Sequence, residues 1–343
     1  MWLAKSPGRV NQNSKLMAKR AGLLKEMIRK KAVKVILGML IVAVLFAAVL
    51  SNIGLKWQEV ANKPLVFADD FLLWLAISMI LTVGSFMVHG ASWVWILNIL
   101  SGSVSYRRGL RIFFLSQLGR YIPGKIWTFM GRFMVCQNSA VSRPTVSESI
   151  LYELMMSITG ACVVLALTSA ISGGRIGHSV QWLQYLIMAA VACFLVRPSF
   201  FISMLNSLLK KTTIGQIRSA IRSVDLLKYL CMHIMVWILM GYGFFCLTSS
   251  FLHLPATMSV YFPALFCLAW LGGFFSILTP GGLGVREGIL TYLLAQFVSA
   301  PDALVIALFS RLWITAAEIV SMGLALGFSY VYPKERYATK LNR

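Results

Sequence analysis

Two short stretches hold the residues best suited to chemistry. The first is Arg120-Tyr121-Ile122-Pro123-Gly124-Lys125, followed by Arg132, where the chain turns between cations. A guanidinium can fork onto a phosphate, and an ammonium acts on it as a point charge. The second is Thr279-Pro280-Gly281-Gly282-Leu283-Gly284-Val285-Arg286-Glu287-Gly288. Its glycines let successive amides approach a ligand, and a helix starting there offers its positive end beside Arg286. The chemistry common to both is capture of an anionic head group. The candidate binding residues are therefore Arg120, Pro123, Gly124, Lys125, Arg132, Pro280, Gly281, Gly282, Gly284, Arg286 and Glu287. A structural role also fits them, with the glycines serving helix packing and the cations anchoring at an interface.

An acid beside Arg286 in an apolar region is costly unless it is paired or used. Glu148, Glu153, Arg311 and Glu318 raise the same question, and they read either as a proton or substrate relay or as structural ion pairs. Other chemistries find no support. There is no nucleophile elbow, phosphate-binding P-loop, HExxH zinc pair or complete dinucleotide fingerprint. His89, His178, His233 and His253 are spread one per region, so neither a metal nor any other cofactor is expected. The six cysteines lack CxxC spacing and read as small packing residues.

The elements that must position these residues are membrane spans. The chain of 343 residues is 58% hydrophobic and only 13% charged, too apolar for the exterior of a soluble protein. Its 32 Lys and Arg against 11 Asp and Glu give a formal charge of +21. The positive-inside rule and attraction to anionic lipid account for that excess without nucleic acid, for which no recognition module is present. Residues 1–34 form a basic segment, cytoplasmic or lying on the lipid surface, and 331–343 a basic tail. The first apolar run reads as an uncleaved helix rather than a signal peptide.

Loop charges thread six full spans at about 35–51, 71–101, 146–171, 180–197, 229–250 and 303–330, with both termini cytoplasmic. Between them, 112–135 and 260–299 are interrupted at the two Pro-Gly stretches and read as re-entrant broken-helix hairpins. Residues 289–299 supply only about 16 Å of helix, short of a hydrocarbon layer of roughly 30 Å. Position 71 precedes Pro123 by 52 residues and 229 precedes Pro280 by 51, while each proline precedes its next span by 23. The expected fold is thus an all-α polytopic membrane protein with an inverted repeat, its halves at 35–171 and 172–330. In such transporters the short interrupted segments mark the binding site.

The Arg120–Trp127 stretch (RYIPGKIW) and the Pro280–Gly288 stretch (PGGLGVREG) resemble the two signature loops of the lysylphosphatidylglycerol synthase transmembrane, or flippase-like, family. The resemblance covers roughly 30–335. It implies lipid translocation through a cavity formed by broken helices, in a bacterial or archaeal cytoplasmic (inner) membrane. The soluble catalytic domain of the aminoacyl-lipid members has no counterpart here, so aminoacylation of lipid by that route is not expected. The resulting expectation is a flippase or scramblase for an anionic, phosphate-linked lipid or glycolipid, for example a polyprenyl phosphate. Its partners are anionic membrane lipids, with glycan or lipid synthesis enzymes as further candidates. Two alternatives stand beside it: a membrane-embedded lipid-modifying transferase, and a non-transporting subunit of a glycan or lipid synthesis complex.

Overall fold

The computed structural model describes residues 69–102, 104–121, 131–133, 141–171, 203, 221–276 and 284–331. The expected spans at 35–51 and 180–197, and both termini, lie outside them. All regular structure among the described residues is helical: α1 (Phe71–Ser101), α2 (Tyr106–Gln117), α3 (Arg143–Ile171), α4 (Ser223–Phe251), α5 (Phe262–Phe275), α6 (Val285–Leu294) and α7 (Ala300–Val331). A 3-10 turn, Leu118–Tyr121, prolongs α2, and another, Ala256–Tyr261, leads into α5. Five segments, α1, α3, α4, Ala256–Phe275 and the Ala300–Gly327 part of α7, are long and apolar enough to cross a membrane.

The 31 residues of α1 span about 46 Å at 1.5 Å per residue, well above the hydrocarbon thickness. The helix stops at Gly102, whose φ of 69° is the left-handed conformation that glycine adopts without Cβ strain. Asn98 then fixes the turn, its Nδ2 donating to the Val104 carbonyl at 2.7 Å and its Oδ1 accepting the Val104 amide at 2.8 Å. That turn lays α2 back on α1. Gly109 makes the approach possible, because a Cβ there would meet Val94 Cγ2 at 2.5 Å. Ile112, Phe113 and Phe114 face inward, while Arg107 and Arg111 are exposed.

The central seam joins α1 and α4, which run antiparallel. Ser78 Oγ donates to the Gly243 carbonyl at 2.7 Å and Ser85 Oγ to the Val236 carbonyl at 2.8 Å. Phe71 meets Phe251 at one end and Trp95 meets Tyr229 at the other. Small residues allow this closeness, as expected where lipid offers no hydrophobic drive between helices. A Cβ on Gly243 would lie 2.6 Å from Thr82 Oγ1, and one on Gly241 would run into Pro263 of α5. Around the seam, Trp93, Tyr152, Phe244, Phe262 and Trp313 are buried, whereas Leu72, Ile80, Leu312 and Ile319 point outward as lipid-facing residues should.

Two boundaries differ from expectation. Helix α4 begins six residues before position 229, since Asp225 sits in its first turn, suits the helix dipole and holds Arg222 at 2.8 Å. Helix α6 begins at Val285 rather than near 289, because Gly284 and Glu287 cap it. The limb before the second break, Ala256–Phe275, is long enough to cross, so only α6, ten residues or about 15 Å, is short.

Candidate functional site

Two buried ionic clusters include residues that follow the two Pro-Gly stretches in sequence. The first is built around Arg132, in the helical stretch 131–133 and only 2% exposed. Its Nη1 bonds Glu153 Oε2, its Nη2 donates to Glu153 Oε1 at 3.1 Å, and its Nε donates to Ser116 Oγ at 3.3 Å. The guanidinium carbon lies 4.7 Å from the Trp93 ring centroid and 4.8 Å from that of Phe113. Forked geometry and flanking aromatic faces offset the cost of taking this charge out of water. Glycine brings the pieces together: a Cβ on Gly131 would meet Ser116 Cα at 3.2 Å.

Histidines complete this cluster. His89, one turn before Trp93 on α1, places Nε2 3.1 Å from Glu153 Oε1. Its ring centroid is 5.4 Å from that of His233 on α4, which sits edge-on to Tyr229 at 4.5 Å. His233 Nδ1 lies 3.0 Å from the Tyr229 carbonyl oxygen, while its Nε2 is buried with no hydrogen-bond partner among the described residues. The α3–α4 contact that allows this is tight: a Cβ on Gly160 would lie 3.1 Å from His233 Cβ, and Trp237 Nε1 donates to the Ser157 carbonyl at 2.8 Å.

The second cluster is centred on Glu287 at the start of α6. Gly284 turns the chain with φ of 82°, and its amide donates to Glu287 Oε2 at 2.8 Å. The same carboxylate accepts from Arg311 of α7, Nε to Oε1 at 2.9 Å and Nη2 to Oε2 at 3.5 Å, and has Arg286 Nη1 at 3.7 Å. Arg286 Nη2 donates to Ser310 Oγ at 3.4 Å, and its guanidinium carbon lies 5.0 Å from the Phe266 centroid.

The clusters correspond with their charges exchanged. In the first, the cation Arg132 precedes a long helix and the acid Glu153 lies on it. In the second, the acid Glu287 precedes the long helix and the cation Arg311 lies on it. Each has an arginine over a phenylalanine and against a serine hydroxyl. Such a pair can yield an arginine to an incoming phosphate, a ligand with the same forked geometry as the carboxylate it would displace.

Of the residues singled out in the sequence, Arg132 pairs with Glu153, and Gly284, Arg286 and Glu287 gather with Arg311. Glu148 and Glu318 are buried too, at 4% and 8% exposure. Arg120 lies in the 3-10 turn after α2, with its side chain outside the described residues. Pro123, Gly124, Lys125, Pro280, Gly281 and Gly282 fall outside them as well. Sequence reasoning left out His89 and His233, which look scattered because 144 residues part them. The available signal was a histidine near the middle of each of two long, nearly uncharged spans, a costly placement without a partner.

The family described as Lysylphosphatidylglycerol synthase TM region matches residues 35–319 of the chain. No curated protein sequence gives a significant match.

Proposed function

The chain belongs to the lysylphosphatidylglycerol synthase transmembrane family, and from that premise we propose that it moves an anionic, phosphate-linked lipid or glycolipid between the leaflets of the cytoplasmic membrane. The observation that carries this reading is the pair of charge-exchanged, buried arginine–carboxylate clusters packed among the long apolar helices. Buried charge on that scale is costly and is retained where an ion or head group must pass. The antiparallel packing of α1 on α4, the second spans of the two proposed halves, supports an inverted repeat. In that arrangement six spans and two interrupted hairpins leave both termini in the cytoplasm. The shortness of α6 supports an interrupted second hairpin, one limb long enough to cross and the other not.

Reconstitution of the full chain with labelled phosphatidylglycerol tests the proposal. Translocation moves the lipid between leaflets chemically unchanged. A new lipid product by mass spectrometry would instead identify a transferase. Neither outcome without a synthase partner would identify a subunit of a larger complex. Lipid that co-purifies with the native protein identifies the head group.

A further inference from the structure

We infer that His89 is a proton-binding site, and that its protonation gives Glu153 a second cationic partner and loosens that carboxylate's hold on Arg132. Both Glu153 oxygens are engaged by Arg132, and Oε1 faces two nitrogens at once, Arg132 Nη2 at 3.1 Å and His89 Nε2 at 3.1 Å. With His89 neutral, the guanidinium and carboxylate cancel. A proton arriving from water makes His89 an imidazolium, and the cluster carries one net positive charge. The two cations then compete for one carboxylate, so the arginine is partly freed to meet an anion.

The geometry selects His89 as the entry point. Its side chain is 23% exposed, against 2% for Arg132 and 10% for Glu153, while His233 is fully buried; the Nε2 of His89 that faces Glu153 is itself buried, so the exposed part is the rest of the ring and its stem. Imidazole is also the side chain whose charge ordinarily changes near neutral pH. The groups that face it from each packed element are few. They are Glu153 from α3, Arg132 from the 131–133 stretch, and His233 with Tyr229 from α4. From α2 comes the uncharged ring of Phe113 at 5.3 Å. Helix α7, which also packs on α1, directs Arg311 to Glu287.

The proposal places the proton on His89 rather than on Glu153, whose two oxygens are already engaged by Arg132. Coupling of that proton to lipid movement rests on the function proposed above, whereas binding of the proton does not. The test separates them. The full chain, with histidine labelled at its imidazole nitrogens, is titrated by NMR in nanodiscs of phosphatidylcholine and phosphatidylglycerol. Only four histidines contribute. The signal absent from His89→Gln is expected to pass from neutral to imidazolium as the sample is acidified. Should that variant not fold, the same signal is identified by its displacement in Glu153→Asp, which keeps the charge.

In vesicles of the same lipids, phosphatidylglycerol transfer by the wild type should change with pH by up to about tenfold per unit, the limit for one proton. His89→Gln should flatten that profile, and His253→Gln, at an exposed position between helices, should leave it unchanged. A His89 signal that stays in one charge state across the range overturns the proton site. A wild-type pH profile retained in His89→Gln overturns the coupling. A titrating His89 in a protein that moves no lipid at any pH supports the site and rejects the transport reading.

Discussion

Replacing Glu287 separates the charge of its carboxylate from its work as a helix cap. In Glu287→Gln the amide oxygen can still accept the Gly284 amide, an interaction of 2.8 Å in the native protein. What disappears is the negative charge facing Arg311 at 2.9 Å and Arg286 at 3.7 Å. Breaking a buried ion pair by removing one partner costs roughly 3–5 kcal/mol. Here the cost is smaller, about 2–4 kcal/mol, because Arg311 is 35% exposed and its guanidinium can turn to water. Arg311→Gln should cost less, about 1–2 kcal/mol, since Glu287 keeps the amide of Gly284 and the adjacent Arg286. Glu287→Ala should be worst, adding about 1 kcal/mol because the helix cap goes as well. Reversible unfolding in mixed detergent micelles reads this order directly. A Glu287→Gln protein within about 0.5 kcal/mol of wild type, the ordinary range for surface substitutions, would refute the cluster as an energetic unit. So would Arg311→Gln destabilising more than Glu287→Gln.

Arg132→Gln and Arg286→Gln should each weaken binding of anionic lipid by about 1.5–3 kcal/mol for every charge-assisted hydrogen bond to the head group that is removed. Arg132→Lys should rescue only in part, because an ammonium cannot replace the two-pronged bond to Glu153; binding to phosphatidylglycerol nanodiscs measures both effects. Gly109→Val places a branched side chain where even a Cβ meets Val94 at 2.5 Å, so it should displace α2 from α1 and destabilise the fold by about 1–3 kcal/mol, read as a drop in thermal stability. Single cysteines placed at Pro123 and Pro280 in a cysteine-free background should label from opposite faces of the membrane. Labelling of both from one face would end the inverted-repeat reading.

Long uncharged runs with no internal breaker were legible in the sequence. Helix α1 occupies 71–101 as composition indicates, and α7 starts only three residues early. The polar turn that opens α4 was not legible from hydropathy, because Ser223 to Lys228 is helical through Asp225 in its first turn, the Arg222–Asp225 pair and its attachment to α4, not through apolar character. The Pro-Gly stretches lie outside the described residues, and the start of α6 beyond the second depended on one side-chain hydrogen bond, the Gly284 amide donating to Glu287. The arginines and acids were visible as costly residues in apolar surroundings. Which acid meets which arginine was not, since Arg132–Glu153 and Glu287–Arg311 join separate elements and pairing is a property of tertiary packing. The histidines illustrate the limit: neither His89 nor His233 has meaning alone, and the antiparallel seam makes them neighbours.

That seam also sets a timetable for biogenesis. Ser78 and its acceptor Gly243 are 165 residues apart, and Ser85 and Val236 are 151 apart. At translation rates of about 5–20 residues per second, α1 waits roughly 10–30 s in the membrane before α4 emerges to cover it. During that interval the hydroxyls of Ser78, Thr82 and Ser85 face lipid or the insertion machinery, able only to bond back to their own helix, as Thr82 does to the Ser78 carbonyl at 2.8 Å. The nascent first half is therefore a client for whatever holds polar helices during insertion.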